Sequence, residues 1–375
     1  MTLLKNPMVS ILVTCFNNAK ALPRLFQSIR HLESLNSLKF IFLDDGSNDE
    51  TLSKLNYFKL NNKQINIQVL SNARSNGMGI ARNTLLDNTS TPYFYYLDNQ
   101  DYFHSKDLFF TFLYTQKTHN CDLFVPQSKF KKENSLFRKE DPLIDGVVPL
   151  DNLINPQKYL LNVYPHAWNI FIKTDFFKNL HLRFIQGDES GDFAVIYPLF
   201  LKATSCYSMK DDSYTHISNK SGILFPLDAN SILELSHQIH VLYQTISRFD
   251  KIDIFTKQFA IENKFFRDLF EAWFTKQNYK NISNNPELLT KYIYHLATVL
   301  NQHGILYRLN ALNLKDSKNK NILQFLELVK SLDIRILQPN VDKVSDLRFL
   351  NKNTKNLTGR ISTTEIYSKT TGFKK

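Results

Sequence analysis

The chain has 375 residues, of which 43% are hydrophobic and 22% charged, the proportions of a folded protein long enough for two domains. Its apolar runs are far shorter than the roughly 20 residues of a membrane-spanning helix, and no secretory signal opens it, so we expect a cytoplasmic protein. The formal net charge of +11 predicts an anionic ligand or surface. Nucleic acid is not expected, because the sequence has no basic stripe interleaved with aromatic residues.

Strand and helix patterns alternate over the first hundred residues. The predicted strands are Met8–Phe16, Leu38–Leu43, Ile65–Leu70 and Pro92–Leu97. The predicted helices are Lys20–Leu32, a segment capped by Asn48 or Asp49, and Gly77–Leu86. This alternation is typical of an α/β fold with a mostly parallel sheet covered on both faces. Ligands of such sheets bind where the strands end.

The later part of the chain is organised differently. Strands are predicted at Asp122–Val125 and Cys206–Met209, and a helix at Asp192–Lys202. After Asp228 the pattern becomes helical, with predicted helices at Ile232–Ser247, Phe255–Phe274, Pro286–Gln302 and Ile322–Leu332. We therefore predict an α/β domain over residues 1–228, a mainly helical domain over 229–350 and a flexible basic tail over 351–375.

Two polar clusters follow the first two predicted strands. In the first, Thr14, Phe16 and Asn17 could hold a planar base, although the same residues could form an ordinary turn before a helix. In the second, the carboxylates of Asp44 and Asp45 could accept hydrogen bonds from a pyrimidine and a ribose. The alternative is an Asp-rich turn that caps a helix.

Two further clusters follow the third and fourth strands. Asn76, Gly79 and Arg82 open a helix whose amino end favours phosphate, although the glycine spacing is not diagnostic. The stretch Asp98–Asn99–Gln100–Asp101 ends an apolar strand with acids that could coordinate a divalent cation. A solvated turn is the alternative there.

In their order and spacing, the four clusters resemble the opening domain of family 2 glycosyltransferases of the GT-A fold. The matching stretches are Val9–Asn17, Asp44–Ser47, Asn76–Asn83 and Asp98–Asp101. The resemblance implies a GT-A domain followed by a mainly helical region. It also implies that Thr14, Phe16, Asn17, Asp44, Asp45, Asn76, Gly79, Arg82, Asp98 and Asn99 bind a nucleotide sugar, a UDP-sugar by preference.

A weaker resemblance continues to about residue 225. The segment of His166 and Trp168 is similar to one that the family uses near the acceptor, and Glu189 is a further acceptor candidate. Asp192 matches the aspartate that serves the family as general base. The loop of His216 resembles one that closes over the diphosphate, and Asp98, Asp101 and His216 are the candidate ligands of Mn²⁺ or Mg²⁺.

Two residues depart from the family pattern. Gln100 stands where the family usually carries a metal-binding carboxylate, and an amide is a poorer ligand for these cations. Either Asp101 takes over, or Asp98 and His216 hold the ion, or metal dependence is weakened. Gly191 replaces the glutamate that usually precedes the base, which could alter how the acceptor is placed.

The resemblance implies an inverting transfer in which Asp192 deprotonates the acceptor hydroxyl. Asp45 is then expected to face the uracil, with Asp44 beside it or at the ribose, while Arg82 or the His216 loop meets the phosphates. Each role has a structural alternative. Asp192 could only cap a helix, Trp168 could be a packing residue, and His216 could be a hydrogen-bonded loop histidine.

The expected acceptor is a carbohydrate, a lipid-linked glycan or a glycoprotein of the bacterial surface. The basic carboxyl-terminal region could dock on an anionic membrane, which would place the protein at the inner face of the cell membrane. Gln100 and Gly191 also motivate an alternative, a catalytically silent GT-A domain that binds a partner glycosyltransferase.

Overall fold

The computed structural model describes residues 6–132, 138–139, 146–149, 166–186, 192–218, 228–249, 284–285, 287–306 and 320–332. The chain forms two compact units, Met1–Gly222 with Arg248–Ile261, and Ile223–Ser247 with Glu262–Lys375. The described strands all belong to the first unit, whereas the described elements of the second are helices. The predicted boundary at residue 228 stays a prediction.

Ten strands of the described chain form one sheet. They are β1 (Val9–Cys15), β2 (Leu38–Asp44), β3 (Asn66–Ser71), β4 (Tyr93–Tyr96), β5 (Tyr102–Phe103), β6 (Leu123–Lys132), β7 (Arg138–Lys139), β8 (Gly146–Pro149), β9 (Phe171–Lys173) and β10 (Ser205–Ser218). Their order is β3-β2-β1-β4-β9-β6-β10-β5, with β7 beside β6 and β8 beside β10. The first four strands are parallel, and β6 and β10 are parallel to each other. The predicted α/β class is confirmed.

Helices cover both faces of the sheet in the first unit. They are α1 (Leu22–Arg30), α2 (Thr51–Asn61), α3 (Met78–Asp87), α4 (Leu108–Thr118), α5 (Thr174–Asn179) and α6 (Phe193–Lys202). The main core cluster joins apolar residues of α1, α2 and α4 to alternate residues of β1, such as Ile11 and Val13. The helix α3 packs on β1 and β2. Because both sheet faces are covered, all seven residues of β1 are buried.

The predicted elements of the first hundred residues match β1 to β4 and α1 to α3 with small shifts at the ends. The carboxylate of Asp49 accepts the N–H of Thr51 at 2.9 Å, as expected of a residue before a helix. The strands predicted at Asp122–Val125 and Cys206–Met209 are longer than their apolar runs. The two strands, β6 and β10, pair with each other, and after a register shift the pairing continues to Lys132 and Ser218. Backbone hydrogen bonds therefore extend both strands past the hydrophobic pattern.

The second unit contains α7 (Ala229–Ile246), a π-helical turn (Leu288–Ile293), α8 (Tyr294–Gln302) and α9 (Lys320–Ser331). Asp228 and Ser231 cap the start of α7 with reciprocal hydrogen bonds. The predicted helix Phe255–Phe274 and the tail 351–375 lie outside the described residues. No helix in the described ranges is both long and apolar enough to cross a bilayer.

Candidate active site

The four polar clusters lie together because β1 to β4 are parallel and end at the same edge of the sheet. Hydrogen bonds connect them. The N–H of Asp45 donates to the carbonyl of Cys15 at 2.8 Å, and Asn99 Nδ2 donates to the carbonyl of Thr14 at 2.8 Å. Asn18 Nδ2 also donates to Asn99 Oδ1. The ends of β1, β2 and β4 therefore form one continuous site.

The loop after β1 is held by Asn17, whose φ of 48° is tolerated well by asparagine. Its N–H donates to Ser47 Oγ at 2.9 Å, and its Oδ1 accepts the N–H of Asn48 at 2.8 Å. Thr14 Oγ1 contacts Met78 Sδ at 3.1 Å. Phe16 remains 47% exposed. Of the three residues predicted in this cluster, Phe16 and Asn17 are exposed to a ligand, and Asn17 also fixes the loop.

Asp45 is buried, and its carboxylate accepts hydrogen bonds from several donors of the protein. It accepts hydrogen bonds from Asn72 Nδ2 at 2.7 Å, from Ser75 Oγ at 2.8 Å, and from the N–H groups of Asn76 and Gly77 at 3.0 and 3.2 Å. The last two amides open α3, where a negative charge complements the helix dipole. The carboxylate of Asp45 therefore accepts hydrogen bonds from backbone N–H groups that, according to the sequence analysis, would bind phosphate.

Asp44 has different surroundings, although it is also buried. Its Oδ2 accepts the N–H of Ser47 at a long 3.3 Å, and its Oδ1 has no hydrogen-bond partner among the described residues. Burial raises the pKa of the neighbouring Cys15 thiol, and the negative charge of Asp44 raises it further. An unsatisfied buried carboxylate oxygen is costly unless a ligand completes it. Asp44 is thus better suited than Asp45 to accept from a ligand.

Gly79, predicted to contact the cofactor, instead meets the backbone of the segment before Asp192. A Cβ built at Gly79 would lie 1.8 Å from the carbonyl oxygen of Ile185. Next on α3, Asn83 donates from Nδ2 to the carbonyl of Phe184 at 2.8 Å and accepts the N–H of Phe184 at 3.0 Å. The glycine is therefore explained by close packing of α3 against residues 184–185.

Arg82 lies between two of the predicted site carboxylates. It is 6% exposed, its Nη1 donates to Asp192 Oδ1, and its Nη2 lies 3.8 Å from Asp98 Oδ1. Asp192 Oδ2 accepts the N–H of Ala167 at 2.8 Å. Although Asp192 precedes α6, its side chain makes no capping hydrogen bond, so the alternative of a helix cap is wrong.

Asp98, Asp101 and His216 form a group in which each residue offers one ligand atom, all within 4.8 Å of one another. Asp98 keeps 24% of its side chain exposed. Burial raises the pKa of this carboxyl to about 7, and the nearby Asp101 contributes, against the opposing effect of Arg82 and His216. A divalent cation would relieve the repulsion between the two acids, so the group fits a metal site.

Asp101 is fully buried and orients residues of β10. Its Oδ2 accepts the hydroxyl of Tyr214 and lies 2.9 Å from His216 Nδ1, and its Oδ1 accepts the N–H of Ile217 at 2.8 Å. Burial by itself lowers the pKa of His216, but the hydrogen bond and charge of Asp101 raise it overall. With Nδ1–H directed at Asp101, Nε2 is the nitrogen suited to bind a metal.

Trp168 is 6% exposed and lies within a group of aromatic rings. It stacks on His216 at 4.4 Å, on His166 at 4.9 Å and on Tyr214 at 5.4 Å between ring centroids. Little of the indole surface remains for a sugar, which favours the packing interpretation of this residue. His166 is the more accessible of the two acceptor candidates on this segment, whereas Glu189 lies outside the described residues.

Asn169, which follows Trp168, is fixed by its backbone conformation and by its side chain. It adopts a φ of 60°, its Oδ1 accepts the hydroxyl of Tyr95 at 2.7 Å, and its Nδ2 donates to the carbonyl of Pro126 at 3.1 Å. An asparagine satisfies this buried position and its left-handed backbone together.

Three contributions to the site were given no role of their own by the sequence analysis, namely those of Tyr214, Asn83 and the N–H of Ala167. A signal existed for Tyr214, because it stands two residues before His216 on a strand and so points to the same face. A main-chain donor such as Ala167 leaves no trace in the sequence.

Comparison with known proteins decides the family. Residues 10–181 match the sequence model of the family described as Glycosyl transferase family 2, and this range contains all four clusters. This part of the chain is a family 2 glycosyltransferase domain. The enzyme interpretation is also favoured over the catalytically silent alternative, because two related proteins are named as transferases.

Two related proteins are both named processive diacylglycerol beta-glycosyltransferase. The one from Mycoplasma genitalium is 27% identical over 310 residues, and the one from Mycoplasma pneumoniae is 28% identical over 309 residues. Each alignment covers 80% of this enzyme and 90% of the related protein. The similarity therefore extends beyond the matched domain into the helical region.

Solved structures show the same fold. S. aureus TarS 1–349 superposes with a TM-score of 0.65 at 16% sequence identity, covering 87% of this enzyme and 91% of that chain. The same protein in complex with UDP-GlcNAc gives a TM-score of 0.66 over the same shares. At this identity the likeness establishes the GT-A fold that the sequence predicted.

Proposed function

We propose that the enzyme transfers a sugar from a UDP-sugar, with inversion, to a diacylglycerol or glycosylated diacylglycerol in a membrane. The observation that carries this proposal is the position of Arg82, which contacts the proposed base Asp192 and approaches Asp98 of the acidic group. A base and a cation-binding group are thus held by one side chain. The diacylglycerol acceptor is suggested by the names of the two mycoplasma proteins.

For the donor, we assign the nucleobase to Asp44 rather than to Asp45. Asp44 Oδ1 is buried without a partner among the described residues, and a carboxylate is a suitable acceptor for the N3–H of uracil. The exposed ring of Phe16 follows β1 at the same edge and would contact the planar base. The UDP-GlcNAc complex of a protein with this fold supports a uridine donor.

For the cation, we assign Asp98 and His216 Nε2 as ligands, with Asp101 orienting the imidazole from Nδ1. A histidine that donates its other ring nitrogen to a carboxylate is the usual second-shell arrangement of metal sites. A bound Mn²⁺ or Mg²⁺ would stabilise negative charge on the leaving diphosphate. This assignment also removes the need for a carboxylate at Gln100.

For the acceptor, Asp192 takes the proton of the attacking hydroxyl. The hydroxyl oxygen forms a bond to the anomeric carbon while the bond from that carbon to the diphosphate breaks. Asp192 is held on both oxygens, by Arg82 and by the N–H of Ala167. This fixes the orientation of the base before the acceptor arrives.

Peripheral binding at the inner face of the membrane follows from such an acceptor, since a diacylglycerol stays in the bilayer. The formal net charge of +11 suits an anionic lipid surface. The basic tail 351–375, which the sequence analysis linked to docking, lies outside the described residues.

The test combines donor binding and transfer. UDP-, GDP- and dTDP-sugars are screened for thermal stabilisation with and without Mn²⁺, and the best donor is then offered vesicles that contain diacylglycerol. We expect stabilisation by a UDP-sugar and labelled glycolipid as product. Asp192→Asn should keep donor binding and lose transfer, whereas the control Asp87→Asn, in an exposed ion pair with Arg183, should keep both. Full transfer by Asp192→Asn would refute the proposed mechanism.

A further inference from the structure

We infer that Arg82 is a positioning residue that holds the base Asp192 in register with Asp98, and that it is not a ligand of the donor diphosphate. The inference rests on the roles proposed above for Asp192 and Asp98. It differs from the sequence-based expectation that Arg82, or else the His216 loop, meets the phosphates.

The guanidinium of Arg82 faces a carboxylate on each of two sides. Nη1 donates to Asp192 Oδ1 and Nη2 lies 3.8 Å from Asp98 Oδ1. The residue is 6% exposed. Burial alone would lower the pKa of Arg82, but the charges of Asp192 and Asp98 outweigh it and raise the pKa. The positive charge is therefore compensated within the protein, which leaves it little to offer a diphosphate.

Packing around Arg82 fixes where the guanidinium can lie. Its carbon Cζ lies 5.4 Å from the centroid of the Phe184 ring and 5.9 Å from that of Tyr96. The hydroxyl of Tyr96 donates to the main-chain carbonyl of Arg82 at 3.0 Å. Asn83 binds both main-chain groups of Phe184. The helix α3, the rings of Phe184 and Tyr96, and the loop at Phe184 thus restrict the position of the Arg82 side chain.

The shape of the guanidinium explains why arginine occupies this position. Its planar fork presents several N–H donors in fixed directions, so one side chain can serve carboxylates on two different segments. A lysine ammonium carries the same charge but cannot keep both directions at once. Replacing Arg82 by lysine therefore keeps the positive charge but removes the fixed directions of the guanidinium donors.

The experiment measures donor affinity and turnover separately in the full-length protein. Arg82→Lys should bind the UDP-sugar within about twofold of wild type, yet lose about tenfold in kcat. Arg82→Gln should lose about 100-fold in kcat, as expected when a base is misplaced by about 1 Å. The matched control Arg183→Gln, on the exposed arginine of the ion pair with Asp87, should change neither quantity.

A double variant supplies the decisive comparison. If Arg82 acts through Asp192, then Arg82→Gln adds little to the defect of Asp192→Asn, because the base it positions is already gone. A tenfold or larger rise in donor Kd with kcat retained would overturn the inference in favour of phosphate binding. Wild-type kcat in Arg82→Lys and in Arg82→Gln would also overturn it. Neither result touches the proposed function, which fails instead if Asp192→Asn keeps full transfer.

Discussion

At the scale of single residues, Asp44 and Asp45 show how two adjacent carboxylates can have different tasks. Asp45 is satisfied by four protein donors that tie the loop after β3 to the end of β2. Asp44 Oδ1 has no such partner among the described residues. We therefore propose that Asp45 stabilises the fold of the site and that Asp44 accepts a hydrogen bond from the ligand.

Substituting the two aspartates should separate stability from binding. Asp45→Ala leaves several donors unsatisfied, so we expect the free energy of unfolding to fall by about 3 kcal/mol. Asp44→Asn should leave unfolding near wild type but weaken UDP binding about 10- to 100-fold, since an amide nitrogen cannot accept from the base. Urea unfolding and calorimetric titration with UDP measure the two effects. Loss of UDP affinity in Asp45→Ala alone, with Asp44→Asn normal, would contradict the assignment.

The sequence identified this aspartate pair but could not divide its roles. The donors that fill Asp45 lie 27 to 32 residues further along the chain, and no local pattern predicts which of two neighbouring side chains they reach. The same limit applies to Arg82, whose partner Asp192 is 110 residues away. Residue types at strand ends predicted the site, whereas long-range hydrogen bonds decide the task of each member.

The metal group gives a second prediction at this scale. His216→Ala removes a proposed ligand, and Asp101→Asn removes the carboxylate that orients it, so each should lower Mn²⁺ affinity about 10- to 100-fold. His104→Ala serves as a control, because His104 contacts Thr215 on the same strand but lies outside the acidic group. Calorimetric titration with Mn²⁺ in the absence of donor measures this affinity directly. Unchanged Mn²⁺ affinity in His216→Ala would exclude it as a ligand.

At the scale of elements, α3 organises the segment that leads to the proposed base. Gly79 meets Ile185, Asn83 binds Phe184, and Arg82 binds Asp192. Three successive positions on one helix face therefore locate a loop that is about a hundred residues away in sequence. The motif that the sequence analysis interpreted as a phosphate-binding helix start thus also supports this loop.

Gly79→Ala tests that platform. The added methyl group would overlap the carbonyl of Ile185, so helix and loop must separate, and we expect a loss of about 1 to 3 kcal/mol in the free energy of unfolding. Turnover should fall more than donor affinity, because the displaced loop leads to Asp192. Thr84→Ala, on the same helix and only partly buried, provides the comparison. Wild-type stability in Gly79→Ala would show that the close approach is not required.

The elements that the sequence did not predict lack a detectable hydrophobic periodicity, for different reasons. The three residues of β9 insert antiparallel between β4 and β6, and such a short strand has no periodicity to detect. The helix α4 was missed because apolar residues occur around most of its circumference, including the exposed Phe110 and Tyr114. Strong alternation predicted β1 to β4, whereas pairing between distant segments produced the remainder of the sheet.

At the scale of the whole molecule, the basic charge and the proposed lipid acceptor both favour a membrane surface. The formal net charge of +11 would attract the enzyme to anionic headgroups, and the proposed diacylglycerol acceptor would be reached only at the bilayer. Electrostatic attraction of this kind weakens with ionic strength, since the Debye length shrinks to about 3 Å at about 1 M salt. Binding by insertion of apolar side chains would not weaken in that way.

Sedimentation with vesicles distinguishes these modes. At low salt the full-length enzyme should sediment with vesicles that contain anionic lipid and remain in the supernatant with neutral ones. About 1 M salt should release it, because the attraction is screened while apolar contacts are not. Transfer to diacylglycerol in the same vesicles should decline in parallel with binding. Equal sedimentation with neutral vesicles, or binding that survives high salt, would refute charge as the basis of membrane attachment and leave apolar contact in its place.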